Sequence, residues 1–92
     1  MGFEKEYINK VLRNIVRGTM FDFDKKTIRF PFLHHTFLIE YFFRKDVNPS
    51  TYLMGPFFGY CKNQFGLTNG EIEYIWEKYM SIIYNTIIEN GE

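Results

Sequence analysis

Between Thr68 and Asn90 the chain spaces its large apolar residues three and four apart, and whatever fold it adopts has to cover that stripe. At 100° per residue, Ile72, Ile75, Trp76, Tyr79, Ile82, Ile83 and Ile87 share one side of a helix, about the width of a core-facing face. Thr68 with Glu71 forms a capping box, hydroxyl and carboxylate each satisfying a backbone N–H that the first turn leaves free. The helix is therefore predicted to start near Asn69. Tyr74, Tyr84 and Ile88 fall roughly opposite the stripe, beside Glu77 and Ser81.

The rest of the chain must supply the cover, and it is rich in rings. With 11 Phe, 7 Tyr and 1 Trp in 92 residues, each ring needing about 150 to 250 Å² of burial, demand exceeds what a small fold provides. A chain of this length hides only about 60 to 65% of its unfolded surface. Several rings are expected at the surface, where a contiguous set marks a binding or oligomer contact. In GPFFGY, Phe57, Phe58 and Tyr60 occupy positions that one helix face cannot hide together.

The preceding elements follow from period and punctuation. Tyr7, Ile8, Val11, Leu12, Ile15 and Val16 predict a helix over 3–17, with Gly18 as the left-handed residue that ends it. In TMFDFDKKTIRFPF the period changes to two, which predicts a β-hairpin with strands near 20–23 and 27–32 and Pro31 marking an edge. Two strands alone are marginal in water, so the hairpin is expected to lean its phenylalanines on the last helix. Residues 34–46 fit two patterns. As a strand they put Phe37, Ile39, Tyr41 and Phe43 on one face but Leu38 and Phe42 on the other; their length favours a helix, which is the expectation. Asn48-Pro49 and Gly55-Pro56 are both helix-start signals. Because a proline clashes with the turn before it, a short turn at 49–54 and a separate helix from Pro56 to Phe65 are predicted, closed by Gly66 with Leu67 folding back. The fold class is thus α+β, mainly helical: an N-terminal helix, a small β-hairpin, then two or three helices ending in a long amphipathic one. Residues 1–92 are read as one small domain.

Eleven basic and eleven acidic side chains cancel, which argues against general attraction to nucleic acid or anionic membrane. Their distribution is uneven: residues 1–30 carry seven basic and four acidic groups, residues 70–92 one and five. The longest apolar run, Phe30 to Phe43, is broken by Pro31, His34, His35 and Glu40 and falls short of a membrane span. The first ten residues lack the apolar core of a signal peptide, and a single cysteine excludes an internal disulfide. A cytoplasmic protein is expected. Phe, Ile, Tyr, Asn and Lys, whose codons are AT-rich, make up 42 of 92 residues and alanine is absent, which suggests an AT-rich genome such as that of a low-GC bacterium, a phage or another virus.

No residue pattern carries catalysis. Cys61 would need a histidine and an orienting group beside it and a depressed thiol pKa. His34 and His35 are adjacent, so they diverge along a strand or helix, and with Cys61 they lack the paired spacing of a zinc site. Asp22 and Asp24 read as turn chemistry. No metal or cofactor is expected. The corner at Gly66-Leu67-Thr68 superficially resembles a helix-turn-helix, but Glu71, Glu73 and Glu77 would face the phosphates. The function expected is non-catalytic binding of another protein, or of a second copy of this chain, by a small inhibitor or regulator or an accessory subunit of an assembly. Its contacts are predicted at Phe57, Phe58, Tyr60, Tyr74 and Tyr84, with Arg13 and Arg17 as charged rim. The alternative is nucleic-acid binding through Lys10, Arg13, Arg17, Lys25, Lys26 and Arg29, a small set diluted by Asp22 and Asp24.

Overall fold

The computed structural model describes residues 5–90. In chain order it places helix α1 at Lys5–Arg17, strands β1 at Met20–Asp22, β2 at Thr27–Arg29 and β3 at Thr36–Leu38, a 3₁₀ turn at Ile39–Phe42, and helices α2 at Pro49–Phe65 and α3 at Asn69–Asn90. The architecture is α+β and mainly helical, as the pattern predicts. The first two positions of the predicted N-terminal helix lie outside the described residues.

α3 is built as its sequence dictates. The Thr68 amide donates to Glu71 Oε1 at 2.8 Å and the Glu71 amide to Thr68 Oγ1 at 3.3 Å, so the capping box is formed in both directions. Ile72, Ile75, Trp76, Tyr79, Ile83 and Ile87 are buried, while Ile82 is half-buried at the margin of the stripe. Ile8, Val11 and Ile15 of α1 and Leu53, Phe57 and Cys61 of α2 complete the same core.

Rings fill its centre. Phe57 stacks on Tyr79 with centroids 5.6 Å apart and tilts against Trp76 at 5.0 Å. Phe30 and Phe32, just after β2, meet Tyr79 edge-on at 6.3 and 6.2 Å. The phenylalanines that follow the hairpin therefore do lean on the last helix. Tyr79 also holds the buried polar contact: its hydroxyl donates to Thr19 Oγ1, which itself donates to the Ile15 carbonyl at 2.8 Å. Both hydroxyls are thereby satisfied out of water, and the end of α1 is tied to the middle of α3.

Three expectations are corrected. Residues 34–46 are not a helix. β3 pairs antiparallel with β2 (Thr27↔Leu38, Ile28↔Phe37, Arg29↔Thr36), making a three-stranded sheet in the order β1-β2-β3. The buried residues there are Phe37, Ile39 and Phe42: a step of two suits a strand and a step of three a 3₁₀ turn. β2 is thus central, and it ends at Arg29, two residues short of Pro31. Second, α2 runs unbroken through Pro56. Asn48 caps it, accepting from the Ser50 amide at 3.1 Å, and Gly66 ends it at φ 64°, while Leu53, Phe57 and Cys61, four apart, hold one face against the core on both sides of the proline. Packing outweighs the local breaker. Third, Gly18 is not left-handed; among the described glycines only Gly66 has positive φ. A Cβ at Gly18 would lie 3.1 Å from Pro31 Cβ, so that glycine is needed for room, not handedness.

Candidate protein-binding surface

Of the 18 rings among the described residues, seven are buried, seven half-buried and four exposed, so the interior does run out of space, though only four rings stand fully at the surface. The exposed ones are Tyr7, Phe43, Tyr52 and Tyr74. The predicted contact residues do not form one patch. Phe57 is 0% exposed, enclosed by Phe32, Trp76 and Tyr79, and this corrects its assignment to a surface. In a Phe-Phe pair on a helix one ring turns inward, and here it is the first. Phe58 and Tyr60 are half-buried, with Tyr60 packed on Phe32 at 6.3 Å and Phe65 at 5.8 Å. Tyr74 is 37% exposed with the Lys78 ammonium over its ring at 5.1 Å. Tyr84 is half-buried, edge-on to Phe42 at 5.2 Å and to Phe43 at 6.4 Å.

Tyr84 leads to a pair of exposed apolar side chains. Phe43, past the 3₁₀ turn, is 56% exposed and Ile88, near the end of α3, is 52% exposed. Both line one groove of about 710 Å³ with Phe23, Ile39 and Ile87, rimmed by Asp24, Lys26, Glu40 and Asn90. Ile88 stands off the main stripe in the sequence, and Phe43 is not among the predicted contacts. The available signal was the Phe42-Phe43 doublet beside a predicted core face, in which only one ring can turn inward.

The chain matches no protein-family model, no curated protein and no solved structure. Its chemistry has to be read from its own side chains.

A second groove, of about 520 Å³, runs beside β3 between Leu33, Phe37, Leu38, Tyr41 and Tyr52, with His35 and Arg44 at its edge. Arg44 is already engaged. It grips Asp46 through two hydrogen bonds of 2.9 and 2.6 Å, reaches Glu40 at 3.6 Å and lies 5.9 Å over the Tyr41 ring. The hydrogen bond from Arg44 lowers the Asp46 carboxyl below its ordinary value, but the pair is in water and orders a loop more than it stabilises a fold.

Cys61 is fully buried, and burial pushes its thiol up to about 12, the reverse of what a nucleophile needs. His34 and His35 are exposed, no hydrogen bond joins either to Cys61, and no cluster of three His, Cys, Asp or Glu side chains fit to hold a metal occurs among the described residues. No helix among them is long and apolar enough to cross a membrane. Lys10, Arg13 and Arg17 are exposed along the outer side of α1; Lys25 and Lys26 lie in the β1–β2 turn and Arg29 on the outer face of β2. Asp22 and Asp24 share the groove over that sheet face with Lys25 and Arg29, so the basic set is interrupted as its order in the sequence implies. At the α2–α3 corner Glu71 is committed to the cap and Glu73 is exposed, which leaves the first turn of α3 acidic.

Proposed function

We propose that this protein is a non-catalytic binding module that takes an apolar element of another protein into the groove formed by Phe23, Phe43, Ile87 and Ile88. One observation carries the reading: Phe43 and Ile88 are each more than half exposed and line the same groove. Burying such side chains against a partner is worth about 1.5 to 3 kcal/mol each, enough for the pair to act as the centre of an interface. Carboxylates, a lysine and an amide around the groove supply the polar rim that such centres carry. A small inhibitor or regulator, or an accessory subunit of a larger assembly, fits this arrangement. The nucleic-acid alternative has less support, because Asp22 and Asp24 sit among the turn and sheet cations. The test is capture from an extract of the native host by the wild type and by F43S/I88S. The variant is expected to keep the wild-type circular dichroism spectrum and melting temperature and to lose the specific partner. Equal capture by both proteins would move the binding surface elsewhere.

A further inference from the structure

β3 is an edge strand that turns the hydrogen-bonding groups of two of its three residues away from the sheet. Nothing follows it in the order β1-β2-β3. Ile39, one residue beyond β3, donates its N–H to the Lys26 carbonyl at 3.0 Å, the next rung after Thr27↔Leu38. Antiparallel rungs alternate between hydrogen-bonded and non-hydrogen-bonded pairs. Phe37 therefore exchanges its bonds with Ile28, while Thr36 and Leu38 direct N–H and C=O outward. Among the described residues no backbone bond outside the ladder engages either N–H. The Thr36 carbonyl has His35 Nδ1 at 3.0 Å, which leaves it a second lone pair. Such edges are commonly guarded by charge, proline or a bulge, yet Thr36-Phe37-Leu38 contains neither charge nor proline. On β1 the same alternation turns only Phe21 outward.

That edge borders the groove of about 520 Å³ lined by Leu33, Phe37, Tyr41 and Tyr52. We infer that β3 and this groove are a site for an extended segment of another protein, added antiparallel as a fourth strand, with an apolar side chain at every second position. Its backbone satisfies Thr36 and Leu38. The residue opposite Phe37 points the same way as Phe37, toward the groove, where Tyr52 in the first turn of α2 is 61% exposed. A helix does not suit the edge, because its own N–H and C=O groups are spent internally. A second copy paired edge to edge has nothing to insert, since its own Phe37 is 6% exposed and packed on Phe30 and Phe42. The occupant is accordingly a loop or tail whose side chains are not yet committed to a core. At about 3.4 Å per residue β3 is only ~10 Å long, so a few residues of the partner cover it and the binding is weak. This site shares no lining residue with the Phe43–Ile88 groove, and either can fail without the other.

A displayed library of random short peptides, panned on the whole chain, tests it. Enriched sequences carry apolar residues at alternate positions with no proline between them, and a synthetic copy of one slows hydrogen exchange at the Thr36 and Leu38 amides. Thr36→Pro removes an outward N–H that β2 does not use, and Tyr52→Ser strips the exposed ring from the groove. Each weakens that peptide at least about fivefold, whereas F43S/I88S leaves its affinity unchanged. The inference is overturned if the library enriches nothing, if the enriched peptides lack the two-residue spacing, or if either single variant binds as tightly as the wild type. A chain that dimerises at high concentration and protects the same two amides without peptide also overturns it, by giving the edge to a second copy. Exchange on the wild type decides the matter even where a variant fails to fold, because protection elsewhere than at Thr36 and Leu38 places the peptide on another surface.

Discussion

α2 and α3 pack on each other around the same rings, yet they are helical for different reasons. α3 agrees with itself at every level: its cap is formed, its stripe is buried, and past Gly70 it contains neither glycine nor proline. α2 carries Gly55, Pro56 and Gly59, all exposed, and beyond the helix's own backbone and the adjacent residues no atom lies within 4 Å of where a Cβ would sit at either glycine. Two interior glycines and a proline set it about 5 kcal/mol below an alanine helix on intrinsic propensity alone. What keeps α2 helical is its inner face, together with the ends fixed by Asn48 and Gly66. A helix of the first kind can be recognised from local signals, whereas the second exists only because something lies beneath it.

The largest test removes what lies beneath. Phe57→Ala deletes the ring that joins α2 to Trp76 and Tyr79, and a buried Phe→Ala change costs about 3 to 5 kcal/mol. Chemical denaturation should show a loss of that size, with amide exchange in residues 49–65 accelerating more than in residues 69–90. Equal acceleration in both helices would mean that α2 does not depend on its packing more than α3 does.

The next test relieves α2 of its own handicap. Pro56→Ala restores an N–H and removes the clash with the preceding turn at an exposed position. Stability should rise by about 1 to 3 kcal/mol, read as a higher denaturant midpoint at an unchanged slope. On α3, Ser81→Ala, also exposed, should change stability by less than about 0.5 kcal/mol. If the proline replacement gains no more than the serine replacement, the strain assigned to α2 is absent.

The same contrast explains what could be read in advance. Both ends of α2 were legible, at Asn48-Pro49 and at Gly66, and so was all of α3, because caps and periodicity are local. Pro56 misled because its penalty is local too, while the four-residue spacing of Leu53, Phe57 and Cys61 acts only once a core exists to receive it. In 34–46 the buried positions step by two and then by three, a change of period that neither a pure strand nor a pure helix template registers. Gly18 serves Pro31, thirteen residues away, and no local rule reaches that far. The candidate surface was the least legible. The surplus of rings follows from size, but which member of Phe42-Phe43 or of Phe57-Phe58 turns outward depends on the direction from which each segment meets the core.

The smallest effect separates the helices by pH. Cys61 on α2 and Tyr79 on α3 are both buried, and burial raises both above their ordinary values of 9.0 and 10.0. A raised acid stays protonated in the folded state after its unfolded counterpart has lost its proton, so stability is unaffected below pH 9 and falls as pH climbs beyond it. Cys61 acts first, between its ordinary 9.0 and about 12, and Tyr79 joins only above 10.0. From pH 9 to 10 the slope therefore belongs mainly to α2 and is at most about 1.4 kcal/mol per pH unit. Cys61→Ala should lower stability at neutral pH through the cavity it leaves, yet flatten the decline between pH 9 and 10 and leave above 10 only the part of the loss that belongs to Tyr79. In the same range the native thiol should resist alkylation until the protein is unfolded. If it reacts before global unfolding, with exchange confined to residues 49–65, α2 opens alone while α3 stays folded, which is the behaviour expected of a helix held only by its packing.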